Sequence, residues 1–163
     1  MSKVLITGED LTVEEIVAVC RQEALVELSD EAKENVRASR KIVDDLIAEE
    51  KVVYGITTGF GKFSDVVISQ DQCKELQKNL IITHAVGAGE PFSRDIARGI
   101  MLLRINNLSK GFSGIRLETL QTMVDMLNKG VTPVIPEKGS LGASGDLAPL
   151  SHMVLPMIGL GLA

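Results

Sequence analysis

The residues best suited to unusual chemistry lie in Gly139-Ser140-Leu141-Gly142-Ala143-Ser144-Gly145-Asp146. If this turn brings the Gly145 nitrogen against the Ala143 carbonyl carbon, a five-membered imidazolone ring can close, and dehydration of Ser144 then leaves an exocyclic methylidene. Each residue type has its reason: a small residue in front, a hydroxyl to lose, and a glycine whose amide can approach with no Cβ in the way. The product is a strong electrophile made from backbone. Taken alone, Ala-Ser-Gly is also an ordinary turn tripeptide, and that plainer reading is the commoner one.

A second glycine-rich stretch, Gly55-Ile56-Thr57-Thr58-Gly59-Phe60-Gly61-Lys62, invites a phosphate-binding reading but lacks the spacing. A Walker loop needs a glycine where Ile56 stands, and a dinucleotide fingerprint needs one where Ser64 stands. A nucleophile elbow around Ser144 fails because Asp146 takes the place of its last glycine. Tyr54, the only tyrosine, precedes this stretch, and a strand-end tyrosine with its hydroxyl in water is the plainer reading. The two histidines, His84 and His152, have no ligand spacing around them, so no metal is implied.

Helices are needed to position these groups. Thr12-Val13-Glu14-Glu15 is a capping box with a Leu11 to Ile16 staple, preceded by a short β-prone run at 3–7. Residues 30–50 repeat apolar side chains at Ala32, Val36, Val43 and Leu46 or Ile47, which is helical spacing. Residues 51–54 read as a brief strand. Ser69-Gln70-Asp71-Gln72 offers a second capping box, and Cys73, Leu76, Leu80 and His84 follow as one apolar helical stripe that Gly87 and Gly89 end. That pattern favours a core role for His84. Ser93 can cap a helix with Ile96, Ile100 and Leu103 inward, and Ser113 can cap another through Leu120, Met123, Val124 and Leu127 to Gly130. Pro133 and Pro136 keep 131–138 extended, delivering the chain to the Ala-Ser-Gly turn. His152 falls on the helix after that turn, as a supporting residue rather than a catalytic one.

Composition narrows the class. With 163 residues and a net charge of −5, the chain has no basic patch for nucleic acid. Residues 1–50 carry 13 acids against 6 bases, the pattern of a solvated helical face. Only 3% of residues are aromatic while 45% are hydrophobic, so the core must be Leu, Ile, Val, Ala and Met on packed helices. Cys20 and Cys73, with no signal peptide, read as small apolar residues in a reducing cytoplasm. Residues 139–163 hold one charge, Asp146, and the chain stops inside an apolar run broken by His152 and Pro156. That run is too short for a membrane span. It reads as a normally buried helix of a larger protein, with apolar surface exposed near 147–163 and self-association as the consequence.

Three blocks fix a resemblance: Tyr54-Gly55-Ile56-Thr57-Thr58-Gly59-Phe60-Gly61; Gln77-Lys78-Asn79-Leu80 leading to Thr83-His84-Ala85-Val86-Gly87; and Gly139 through Asp146 continuing as Leu147-Ala148-Pro149-Leu150-Ser151-His152. In order and interval they closely resemble the aromatic amino acid lyase family, over essentially the whole chain. The resemblance implies a mainly α fold with a few short strands near the N-terminus and the glycine loop. Residues 1–163 would be the N-terminal, prosthetic-group-bearing part of a helical lyase of the fumarase and aspartase type. It implies that Ala143, Ser144 and Gly145 become 4-methylidene-imidazol-5-one, with Asp146 helping its formation. Tyr54 becomes a proton-transfer candidate, Gly61 part of a loop shaping the pocket, and Thr83-His84 a substrate-selecting pair that goes with histidine. The activity implied is loss of ammonia from L-histidine to give trans-urocanate, the first step of histidine degradation, by a cytoplasmic homotetramer. The same chemistry on tyrosine or phenylalanine, a 2,3-aminomutase, and a non-catalytic helical assembly module are the alternatives. Family members are much longer than 163 residues and complete their sites with later segments and neighbouring subunits. On that ground this chain alone is expected to be inactive, with its triad unmodified.

Overall fold

The computed structural model describes residues 2–58 and 70–163. β1 (Lys3–Ile6) buries Val4 and Ile6 and leaves Lys3 and Leu5 outside, the two-residue period of a half-buried strand. Thr12 then caps α1 (Val13–Gln22): its hydroxyl accepts from the Glu15 amide, and the Glu15 carboxylate accepts from the Thr12 amide. The Thr12 amide and the Thr12 hydroxyl both donate to the Glu15 carboxylate, and these bonds hold that carboxyl below its ordinary range. Leu11 and Ile16 pack against the core beside this cap. α1 ends at Glu23 in the left-handed conformation, and the chain returns as β2 (Leu25–Leu28), parallel to β1 with Lys3 opposite Leu25 and Ile6 opposite Leu28. The alternation in Leu25-Val26-Glu27-Leu28 is too brief to be read between two helical stretches.

α2 (Asp30–Ala48) starts at Ser29, whose hydroxyl accepts from the Ala32 amide; Ala32 and Val36 are buried, and Val43, Leu46 and Ile47 half-buried. The strand expected at 51–54 is absent. The Val53 carbonyl instead accepts from the amides of Ile56 and Thr57, and the Thr57 hydroxyl donates to the Lys51 carbonyl, so local bonds fold the run into a turn. α3 (Gln70–His84) follows, with Leu76, Leu80 and His84 half-buried on one face. The cap expected from Ser69, the burial of Cys73 and the loop containing Gly61 lie outside the described residues.

β3 (Ala88–Pro91) leads into α4 (Arg94–Ser109), which packs against α1, α2, β1 and α5 (Leu117–Asn128). The inward face of α4 differs from the expected one. Ala97, Arg98, Met101, Leu102, Ile105 and Leu108 are buried, whereas Ile96 and Leu103 are 48% and 52% exposed. Both faces of this helix are apolar, and the neighbours α1 and α5 choose between them. In α5, Leu120, Met123, Val124 and Leu127 are buried as the spacing predicts, each contributing about 1.5–3 kcal/mol. Its cap is Arg116 rather than Ser113, because Gly114, at φ +67, departs from helical geometry beside Val43. Gly130 ends α5, with the Val131 amide donating to the Met126 carbonyl. No aromatic ring is among the buried core side chains described, in keeping with the composition.

β4 (Pro136–Lys138) pairs antiparallel with β3, setting Ala88 opposite Lys138 and Pro91 opposite Pro136. α6 (Leu147–Val154) packs against α3 and continues into a 3₁₀ turn at Leu155–Ile158. As expected, apolar surface is exposed here: Leu147 is 57% and Leu162 72% accessible. A mostly apolar cleft of about 690 Å³ opens beside it, with Ile81, Met123, Leu150 and Met157 in its wall. No described helix is long and apolar enough to cross a membrane.

Candidate active site

The triad is presented on a turn at residues 142–144 between β4 and α6. Gly142 and Gly145 have φ of +90° and +71°, a region that residues with a Cβ enter at a cost. At Gly145 space adds to the requirement, since a Cβ there would lie 2.5 Å from the Ser140 hydroxyl. Ala143 and Ser144 are exposed and Gly145 is half-buried. The Ser144 hydroxyl donates to the Asp146 carboxylate at 2.6 Å. Asp146 occupies the cap position of α6 without capping it through its side chain; its carboxylate is turned to Ser144. A carboxylate beside this helix start is favoured by the backbone dipole.

Thr83 and His84 close the C-terminal turn of α3. The His84 Nδ1 lies 2.8 Å from the Leu80 carbonyl, and the Thr83 hydroxyl donates to the same oxygen at 3.1 Å. A carbonyl oxygen can only accept, so Nδ1 carries a proton, and in the neutral ring Nε2 is then the acceptor. His84 is therefore half-buried on its apolar stripe and also keeps one polar edge uncommitted by this bond, which joins the two readings of the residue.

Three contacts bring these segments together although they are far apart in the chain. The β3–β4 ladder joins the strand after α3 to the strand before the triad. Gly139 sits so close to Gly87 that a Cβ on it would lie 3.0 Å from the Gly87 Cα. The Gly87 amide donates to Nε2 of His152 at 2.9 Å. Burial pushes the His152 imidazole below its usual pKa, which keeps Nε2 an acceptor. This link went unread in the sequence, because one partner is a backbone amide and carries no residue signature.

Tyr54 begins the turn at 54–57 and is 62% exposed. The following Gly55 and Ile56 border a cleft of about 550 Å³ together with Gln77 and Ile81, so this turn lies against α3. Gly61 is outside the described residues, and its place at the site is not described by the structure. Arg98 was also unread: it is 2% exposed, donating through Nε and Nη2 to the Val19 carbonyl and through Nη1 to that of Leu127. It thereby joins the C-terminal ends of α1 and α5 from α4. Among the described residues no three His, Cys, Asp or Glu side chains are grouped to hold a metal ion.

The family model for aromatic amino acid lyases matches residues 11–163. Histidine ammonia-lyase of Alkaliphilus oremlandii is 66% identical over 163 residues, covering 100% of this chain and 32% of that relative. The chain thus spans about a third of the length of the curated relatives it matches. Among solved structures, the ergothioneine-degrading ergothionase of Treponema denticola aligns with a TM-score of 0.91 at 35% identity, over 96% of this chain and 31% of that one. Histidine ammonia-lyase from Trypanosoma cruzi aligns with a TM-score of 0.89 at 42% identity, over 98% and 30%.

Proposed function

The chain belongs to the aromatic amino acid lyase family, and from that premise we propose that it forms the N-terminal, prosthetic-group-bearing part of an enzyme that eliminates ammonia from L-histidine to give trans-urocanate. The observation that carries this reading is the glycine-flanked turn with Ser144 hydrogen-bonded to Asp146, tied through Gly87 and His152 to the helix ending in Thr83-His84. Identity of 66% and 63% to two histidine ammonia-lyases over the 163 residues of this chain supports the choice of substrate.

The residues of the turn fit 4-methylidene-imidazol-5-one. Closing the ring requires the Gly145 nitrogen to reach the Ala143 carbonyl carbon, and Gly145 supplies a Cβ-free approach where a side chain would strike Ser140. Ring closure expels one water and loss of the Ser144 hydroxyl a second, and Asp146 is in hydrogen-bond contact with that hydroxyl. The group supplies an electrophilic methylidene that activates the amino acid for loss of ammonia. Around it, His84 keeps Nε2 as an acceptor, so an imidazole N–H of the substrate is its complement; a phenyl ring offers no such donor. Thr83 stiffens the same turn through the Leu80 carbonyl. Tyr54 serves proton transfer, and the family resemblance carries Gly61 over as a substrate-binding residue. Segments beyond this chain and neighbouring subunits of a cytoplasmic homotetramer complete the pocket.

The test is to incubate the full-length enzyme with L-histidine, tyrosine and phenylalanine separately and follow the ultraviolet absorbance of each conjugated acrylate. Growth with histidine alone is expected, together with an intact mass two waters below that of the sequence. The 163-residue chain by itself is expected to keep the full sequence mass and to be silent. Growth only with tyrosine or phenylalanine would keep the chemistry and overturn the substrate; silence of the full-length enzyme with all three would overturn the reading.

A further inference from the structure

Gly87 is the meeting point of two arms that lead to opposite sides of the proposed site. Backward from it the chain is hydrogen-bonded to the selecting pair: the Val86 amide donates to the His84 carbonyl at 2.9 Å, and Ala85 donates into the last turn of α3. Across from it stands His152, whose Nε2 accepts from the Gly87 amide at 2.9 Å. His152 is carried on α6, which is rigidly continuous with the triad because the Leu150 amide donates to the Asp146 carbonyl. The fit leaves no slack. A Cβ on Gly87 would lie 2.9 Å from His152 Nε2 and 3.1 Å from Pro136 Cβ, so glycine is needed for the bond to form.

Resting on the reading of Thr83-His84 and the triad given above, we infer that His152 is a positioning residue: by accepting the Gly87 amide it sets the distance between the imidazole-reading end of α3 and the electrophile ahead of α6. It touches neither substrate nor the reacting atoms. Its effect falls on how the substrate is held rather than on how the prosthetic group is made, because the bond ties α6 to Gly87 whereas the Ser144 hydroxyl is held by Asp146.

The experiment uses the full-length enzyme with His152→Leu, His152→Gln and Gly87→Ala. Glutamine keeps an acceptor oxygen at nearly the reach of Nε2, whereas leucine keeps bulk without an acceptor. For His152→Leu we expect KM for L-histidine to rise about tenfold, the scale of one lost hydrogen bond, with kcat within about threefold. Intact mass should stay two waters low. His152→Gln should return KM to within about twofold of wild type, and Gly87→Ala should reproduce the rise with His152 still present. An unchanged KM in His152→Leu, or a glutamine variant as impaired as the leucine one, overturns the inference; so does a fall in kcat alone. Hydrogen exchange across residues 85–91 keeps the two readings apart. If the wild type turns over none of the three amino acids, the functional reading fails, and the tie is judged by exchange: faster in His152→Leu but not His152→Gln supports it, and no change overturns it.

Discussion

A serine hydroxyl 2.6 Å from a carboxylate is common on protein surfaces, and Ser144 is set apart by what flanks it. Left-handed glycines at 142 and 145 hold the Ala-Ser step in a turn from which the Gly145 nitrogen can advance. The turn itself was legible in the sequence, because its glycines and the Ala-Ser step between them are neighbours. The pair Thr83-His84 was marked by the family resemblance alone, since its spacing reads as a core stripe, and His84 is half-buried on that stripe. The support of His152 was not legible, since its partner is an amide 65 residues away. That support has a pH signature. Burial lowers the folded-state pKa of His152 below its ordinary value of 6.5, so the unfolded chain takes up the proton first. Its contribution to stability is intact above about pH 6.5 and is lost as the pH falls below that value. Thermal midpoints of the wild type and His152→Gln should run parallel at neutral pH and diverge below it, the wild type falling more steeply. Parallel curves down to pH 5 would show that the imidazole stays out of the balance.

At the scale of elements, the sequence is clearest where a signal is local and self-contained. The capping box at Thr12, the terminator at Gly130 and the inward face of α5 can all be read directly, since each is decided within one turn of its own helix. α4 is the counterexample. Arg-Asp-Ile-Ala-Arg-Gly-Ile-Met-Leu-Leu-Arg-Ile is apolar on two sides, and periodicity cannot choose between the stripe of Ile96 and Leu103 and that of Met101 and Ile105. β3 and β4 are harder still, because a four-residue and a three-residue strand have no period to speak of and exist only through each other. Their junction depends on glycine at 139, where φ is +149° and a Cβ would meet Gly87 Cα at 3.0 Å and Ala148 Cβ at 3.3 Å. Gly139→Ala should cost about 1–3 kcal/mol and loosen the ladder. The expected readout is a lower melting temperature, together with faster amide exchange at 88–91 than in helix α5. A variant that melts with the wild type would mean that the loop gives way at no cost.

Across the whole molecule, Arg98 does at the base what the β3–β4 ladder does at the site. Its guanidinium supplies three donors to carbonyls at the ends of α1 and α5 from a position on α4, so one side chain fixes three helices. Its positive charge also suits the negative ends of those helices. Arg98→Met would strip the Val19 carbonyl of its guanidinium donors and leave the Leu127 carbonyl only its bond from the Gly130 amide, at about 1–3 kcal/mol in total. A fall in melting temperature of about 2–4 °C per kcal/mol should follow in heat denaturation. An unchanged midpoint would mean that water replaces the guanidinium. The ladder itself has a consequence in time. Residues 88–91 leave the ribosome well before their partners, and at about 5–20 residues per second His152 follows Gly87 by roughly 3–13 s. During that interval the end of α3 waits beside an unpaired edge. The waiting strand reads Ala-Gly-Glu-Pro and is exposed at every position, and its glycine, charge and proline are the residues that discourage pairing with a stranger. The nascent chain therefore holds its later partner's place without offering it to other chains, and the triad emerges only after both strands of the ladder.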